Sequence, residues 1–209
     1  ELRTSGDTDA VVSPENYQKA MDALVENGFV ITKKYYNVAN MLYNGEEFEL
    51  HTELESVNVQ SKIYFSAFFG NISEGEGFTY KLKPLYHLLY VITHIAKHLK
   101  TGGAGIRMIM DIDAFFRNYP DTDIEKLLCE CENLGLKQTA LVLIALSKKW
   151  FSTPVSVPYT FEDSSEARLY SVLSDIILTG GVFGFENGGV GMVNLRNEMS
   201  KSGKRGTGA

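Results

Sequence analysis

No stretch of the 209-residue chain approaches the ~18 consecutive apolar residues of a membrane-spanning helix. Its first residues, Glu1-Leu2-Arg3-Thr4, do not open a secretory signal, since charge and glycine follow at once. With neither feature, no membrane association is expected and the cytoplasm is the default compartment. A basic excess is also missing: 20 Lys and Arg stand against 26 Asp and Glu, a net charge of −6. That balance argues against nonspecific binding along nucleic-acid backbones, which needs a basic surface. A small anionic ligand held by a metal and a few cations remains compatible with it. Cysteine is nearly absent. Cys129 and Cys131 lie two apart on an expected helix, where side chains diverge, so no disulfide between them is expected. A reducing compartment is the simpler reading, and a thiolate zinc site lacks the further cysteines it would need.

Several site signatures are missing too. Thr101-Gly102-Gly103-Ala104-Gly105 is followed by no Lys-Ser/Thr pair and preceded by no strand, so it reads as a turn between helices rather than a phosphate loop. Gly180-Gly181-Val182-Phe183-Gly184 lacks the context of a dinucleotide fingerprint. No Ser/His/Asp arrangement has recognisable local context, and no cysteine has the neighbourhood of a nucleophile.

What is present is an ordinary globular composition, 44% hydrophobic and 22% charged, long enough for a buried core. Thr8 to Val12 reads as a short buried strand. Ser13-Pro14-Glu15 opens a helix, with Ser13 as N-cap and Pro14 at the first helical position. Tyr17, Ala20, Met21, Leu24 and Val25 recur at helical spacing, and Asn27-Gly28 ends the helix. Phe29 to Tyr36 and Val38 to Tyr43 read as strands, and Asn44-Gly45 as a hairpin turn. From Glu47 to Glu55 residues alternate, with Phe48, Leu50, Thr52 and Leu54 on one face and Glu47, Glu49, His51 and Glu53 on the other.

The remainder reads as mostly helical: Ile63 to Phe69, then a glycine-rich loop from Gly70 to Phe78, then helices over Lys83 to Lys100 and Ile106 to Asn118. A helix over Thr122 to Asn133 opens with the capping box Thr122-x-x-Glu125. Leu136 to Phe151 and Ser165 to Leu178 complete the set. The aromatic run Tyr64, Phe65, Phe68, Phe69 reads as core. The expected fold class is α+β: a small mixed-sheet domain over residues 1–60, a helical region over 61–199 and a disordered tail over 200–209.

The chemistry-bearing pattern is Gly6-Asp7-Thr8-Asp9 at the start of the first strand. Residues two apart on a strand point the same way, so Asp7 and Asp9 would repel unless a cation lies between them. Divalent magnesium is the usual solution, its octahedral shell shared by carboxylates and substrate phosphates. Glu49, between Phe48 and Leu50, is the candidate third carboxylate. The plainer reading makes the aspartates turn and cap residues and puts Glu49 on a solvated face.

The stretch from Arg3 to Val12 resembles the metal-binding motif of the polymerase-beta-type nucleotidyltransferase superfamily. More narrowly, the chain resembles the superfamily's uncharacterised nucleotidyltransferase family. The shared elements are an arginine before a Gly-Asp-x-Asp strand, a helix ending at Gly28-Phe29, and Glu49-Leu50-His51. His94-Ile95-Ala96-Lys97-His98 on a helix and the segment from Gly103 to Asp111 complete the resemblance, which runs to about Gly184. Two features depart from it. The superfamily's upstream Gly-Ser or Gly-Gly element is absent from the six residues before Asp7, and Thr8 stands where an apolar residue is usual. The first domain is therefore expected to be N-terminally truncated within its catalytic motif.

On a helical projection His87, His94, Lys97 and His98 share a stripe opposite the apolar face of Leu88, Leu89, Ile92, Ile95, Ala96 and Leu99. Three readings compete: a partly buried polar stripe, which is preferred for His87; a cation shared by His94 and His98 at i, i+4; and an anion site of Lys97, His98 and Arg107. A zinc site ranks last. Arg107 and Asp111 are spaced to pair with each other, and Asp113 is expected at the surface. The resemblance implies a metal-dependent nucleotidyltransferase that moves a nucleoside monophosphate from a nucleoside triphosphate to an unknown acceptor. In that reading Asp7, Asp9 and Glu49 are catalytic and hold Mg2+ or Mn2+, and Lys97, His98 and Arg107 face the nucleotide. The alternative is a degenerate module with the same fold that binds nucleotide or a partner without catalysis.

Overall fold

The two-residue turn Asn44-Gly45 organises the first third of the chain. Both residues have positive φ, 53° and 87°, as the strand-matching hairpin turn requires. It joins β3 (Val38–Tyr43) to β4 (Glu46–His51), and β2 (Val30–Lys34) adds antiparallel to β3. β1 (Thr8–Val11) pairs parallel to the other side of β4, giving the strand order β1-β4-β3-β2. The computed structural model describes residues 8–75, 80–101, 103–156 and 164–181, with the side chains of residues 164–166 excepted. Arg3 to Asp7, the sequence beyond Gly181 and the expected tail over 200–209 lie outside the described residues.

A parallel connection needs a crossover, and α1 (Tyr17–Glu26) belongs to the segment between β1 and β2, entered through a 3-10 turn at Pro14–Asn16. Tyr17 and Met21 of α1 bury against Ala39, Met41 and Leu50, with Ala10, Val12, Ala20, Leu24, Phe29 and Phe48 around them. Burying each such side chain stabilises by roughly 1.5–3 kcal/mol. The helix stops at Asn27-Gly28. Gly28 sits at φ 94°, which a side chain would strain, and Phe29 then stacks on Tyr43 at 4.4 Å. By strand alternation the opposite face of the sheet carries Asp9, Val11, Asn40, Glu49 and His51.

Residues 1–55 and 56–209 form two compact units. The second contains α2 (Val59–Phe65), a two-stranded sheet of β5 (Ile72–Glu74) and β6 (Tyr80–Leu82), then α3 (Pro84–Thr101), α4 (Ile106–Asn118), α5 (Ile124–Asn133), α6 (Lys137–Phe151) and α7 (Ser164–Thr179). α6 is its centre. Its apolar run from Ala140 to Ile144 is buried all round, as expected of a helix covered by α3, α4, α5 and α7. The fold class is α+β, and no helix among the described residues is long and apolar enough to cross a membrane.

Several expectations need correction. β1 is not a buried strand: Thr8 and Asp9 are exposed, because β1 pairs on one side only among the described residues. β2 ends at Lys34, leaving Tyr35 and Tyr36 exposed in the turn. The helix expected from Ile63 begins earlier, at Val59, because Asn58 and Ser61 close a capping box; only a 3-10 turn covers Phe68–Asn71. Part of the expected glycine-rich loop is β5, paired with β6. The cap of α5 is Asp123, whose carboxylate accepts from the Lys126 N–H at 2.9 Å, while the Thr122 hydroxyl donates back to the Tyr119 carbonyl. Cys129 and Cys131 are both free, and burial pushes the Cys131 thiol up to about 12.

Asp113, expected at the surface, is instead a link between elements. Its Oδ2 accepts from Arg117 Nε at 2.9 Å and its Oδ1 from the Thr153 hydroxyl at 2.8 Å. Thr153 in turn contacts the buried Ser147 hydroxyl at 2.6 Å, so the chain leaving α6 is tied back to α4. Asp113→Ala is expected to lower unfolding free energy by about 1–3 kcal/mol, because it strands a buried hydroxyl pair. The exposed Asp121→Ala should stay within about 0.5 kcal/mol of wild type. Urea denaturation of the two variants decides; equal losses would show that the Asp113 network contributes nothing.

Candidate metal centre

The site begins with register. In the parallel ladder Asp9 lies opposite Glu49, and in the antiparallel ladder Asn40 lies opposite Glu49 from the other side. Three polar side chains from adjacent strands therefore form one row. His51, two residues beyond Glu49 on the same face, turns its ring back onto that row. Its Nε2 lies 3.3 Å from Asp9 Oδ1 and 3.2 Å from Glu49 Oε2. One ligand atom from each of Asp9, Glu49 and His51 falls within 4.8 Å of the other two. Among the described residues this is the one such group of three. Asn40 Nδ2 donates to Glu49 Oε1, so both carboxylate oxygens of Glu49 are held in place.

The environment is graded. The His51 side chain is 8% exposed, Glu49 29% and Asp9 48%. The cluster opens to solvent at Asp9, on β1, which pairs on one side only among the described residues, and is walled at His51. The hydrogen bond to Asp9 holds the His51 imidazole above its ordinary pKa; burial opposes this, and the charges of Asp9, Glu49 and Glu55 reinforce it. A ring nitrogen facing two carboxylate oxygens must be the protonated one. In charged form the ring is an internal counter-ion for the carboxylate pair.

The donor set fits a divalent cation. Two carboxylate oxygens suit magnesium or manganese, and one imidazole nitrogen is acceptable to manganese and the later transition metals. Of the residues expected here, Asp9 and Glu49 are brought together, and Asp7 lies outside the described residues. Lys97, His98 and Arg107 belong to the second unit, where all three are half-buried. His98 Nε2 lies 3.0 Å from His94 Nε2 on α3, with the rings edge to face at 4.5 Å. His87 is exposed, with its ring edge-on to Phe115 at 6.0 Å.

Two residues of the cluster were missed as site residues, and both had a readable signal. The spacing Glu49-x-His51 puts both side chains on one strand face. Asn40 stands alone between Ala39 and Met41 in an apolar strand, and the turn at Asn44-Gly45 fixes its pairing with Glu49.

The family model described as Uncharacterised nucleotidyltransferase matches residues 1–152 of the chain. The chain belongs to that family. No curated protein and no solved structure matches it. The family match covers the whole sheet with its Asp9–Glu49–His51 cluster, and α3 and α4 with Lys97, His98 and Arg107.

A pH dependence follows from His51. Its folded pKa lies above the ordinary 6.5. The stability it contributes is therefore complete below about pH 6.5 and fades as pH rises through the folded value. In metal-free protein the His51 ring resonances should titrate above 6.5, and in Asp9→Asn they should move back down. Histidine NMR over pH 5–9 reads this. A ring titrating at or below the ordinary value in wild type would show that the carboxylate contact does not form in solution.

Proposed function

We propose that the protein is a metal-dependent nucleotidyltransferase that moves a nucleoside monophosphate from a nucleoside triphosphate to an acceptor hydroxyl or phosphate, releasing pyrophosphate. One observation carries the reading: in a member of a nucleotidyltransferase family, the register sets Asp9 beside Glu49 with ligand atoms of the cluster within 4.8 Å. Asp9 and Glu49 hold the cation, Asp7 joins them from its position two residues before Asp9, and His51 is a further ligand or its displaceable counter-ion. Bound there, magnesium or manganese would supply Lewis-acid stabilisation of charge developing at the α-phosphorus.

The chain's own groups do the rest. Asn40 keeps the Glu49 carboxylate in one orientation, which limits the reorganisation needed when the substrate arrives. Glu49, only partly exposed, is also placed to accept the acceptor's proton. Lys97, His98 and Arg107 are assigned to neutralising nucleotide phosphate through charge-assisted hydrogen bonds. The resemblance of the His-x-x-Lys-His helix and the Arg107 segment to the family pattern supports that assignment.

The metal assignment is tested by thermal melts with and without magnesium. A cation that binds the folded state alone raises the melting temperature by mass action. Asp9→Asn should lose that rise while remaining folded; in metal-free buffer the relieved carboxylate repulsion and the lost His51 contact oppose each other, so the magnesium-induced rise is the readout. Equal magnesium-induced rises in both proteins would overturn the assignment.

The role of the second unit is tested separately. The Lys97→Ala, His98→Ala double variant should stay folded and lose affinity for a nonhydrolysable triphosphate, by on the order of 1.5–3 kcal/mol per contact removed. Calorimetric titration at two salt concentrations reads it, because cation–phosphate attraction at a partly open site is screened. Unchanged affinity would make the histidine helix scaffold.

A further inference from the structure

His94 has no part in the proposed transfer. It stands one helical turn before His98 on α3, so both rings leave the same face of the helix. Their Nε2 atoms lie 3.0 Å apart, and the rings meet edge to face at 4.5 Å. Both side chains are half-buried. Each is placed by its surroundings. The Tyr90 ring lies 6.1 Å from that of His94 and packs edge-on against buried Phe65 at 5.6 Å. The His98 carbonyl accepts from the Gly103 N–H at 2.7 Å, which closes the helix end behind it. Ile92, Ile95, Ala96 and Leu99 are buried, so the face that carries the pair is fixed.

Two imidazole nitrogens this close can interact in two ways. As neutral rings in opposite tautomers, one Nε2 donates to the other. As ligands, they take adjacent positions around one cation. Metal–imidazole bonds of ~2.0–2.1 Å put two such nitrogens about 2.9–3.4 Å apart, as the angle at the metal opens from a right angle to tetrahedral. The separation of 3.0 Å falls near the right-angle end. To ligate, the rings need only turn about their terminal torsions, which are broad for histidine. Position also favours an ion, since His98 lies in the last turn of α3, where aligned backbone carbonyls attract a cation. The ions that match are those that suit imidazole and accept right-angled shells, nickel and copper before zinc. Magnesium, a hard ion that prefers oxygen, does not match.

We propose that His94 and His98 form a two-nitrogen chelate for a divalent transition-metal cation of the nickel–copper type. The site belongs to the second unit and shares no residue with the Asp9–Glu49–His51 cluster. No third His, Cys, Asp or Glu ligand joins the pair among the described residues. Water or an oxygen of a bound anion takes the positions that the two nitrogens leave. An ion there presents more charge to a phosphate than a single ring can, so the phosphate role proposed for His98 passes through the ion. The chelate itself does not depend on reading Asp9 and Glu49 as the transfer site.

The experiment follows the histidine ring resonances of the full chain as Ni2+ is added at about pH 7.5, where an ordinary imidazole is neutral. The paramagnetic ion broadens the rings that bind it, and each signal is assigned by its loss in a single variant. His94 and His98 should broaden together, at lower Ni2+ than exposed His87, in wild type and in Asp9→Asn alike. In His94→Gln, which keeps a polar group beside His98, the His98 ring should need at least about tenfold more Ni2+, because loss of even a supporting residue costs that much. His98→Gln should do the same to His94, and His87→Gln should match wild type. Far-UV circular dichroism checks that the variants keep their helices. If His98 in His94→Gln broadens at the wild-type Ni2+ concentration, the rings bind singly and the chelate is overturned. Broadening of the pair that disappears in Asp9→Asn would put the ion at the acids and overturn the separate site. Broadening of the pair only where His87 also broadens would reduce it to ordinary surface histidines, and overturn the inference as well.

Discussion

Two carboxylates set side by side on neighbouring strands repel, and the rest of the first unit is arranged around that repulsion. Asp9 and Glu49 share a register position on β1 and β4, with their oxygens close enough to ligate one ion. Held in apolar surroundings, the pair would take up a proton instead of staying charged. Three features offset this. Asp9 lies on β1, which pairs on one side only among the described residues, and is half exposed, so water screens it. Asn40 donates an amide hydrogen to Glu49 from one side, and His51 offers a ring nitrogen to both acids from the other. The pair is held in place without a metal, and the geometry stays open to one.

The fold carries this through the packing of the opposite face. Ala10, Ala39, Met41, Phe48 and Leu50 lie against α1 through alternate positions of the same strands that present Asp9, Asn40, Glu49 and His51. A slip of one residue in either ladder would bury acids and expose the core. The hydrophobic contact of Met21 and Tyr17 with this face is therefore also what fixes the acids in register. A stability mutation in α1 and a site mutation in β4 act on one arrangement.

Much of this was legible in the sequence, and the reasons differ by element. Asn44-Gly45 admits essentially one tight hairpin, and counting outward from it pairs Tyr43 with Glu46 and then Asn40 with Glu49. Helix limits at Ile106 and Asn118 matched because glycine precedes one end and the amphipathic period runs out at the other. The parallel pairing of β1 with β4 was not legible from local pattern, since a crossover of variable length separates the strands. Nor was the register shift between Ile31 and Lys33 in the β2–β3 ladder, because the alternation of β2 reads equally well without it. Asp113 looked like a surface acid because its partner Thr153 lies beyond a whole helix in sequence. His51 was grouped with the solvated acids because alternation assigns a face but not its exposure.

Charge decides when such a cluster attracts a phosphate. Without metal, a charged His51 ring would offset one of the two acid charges, and the remainder faces solvent at Asp9. A site of that sign repels a triphosphate. A divalent cation held by Asp9 and Glu49 would offset both acids and supply the counter-charge that His51 gives without it. On that reading the affinity of the site for a triphosphate would depend on the cation more than on any single protein contact.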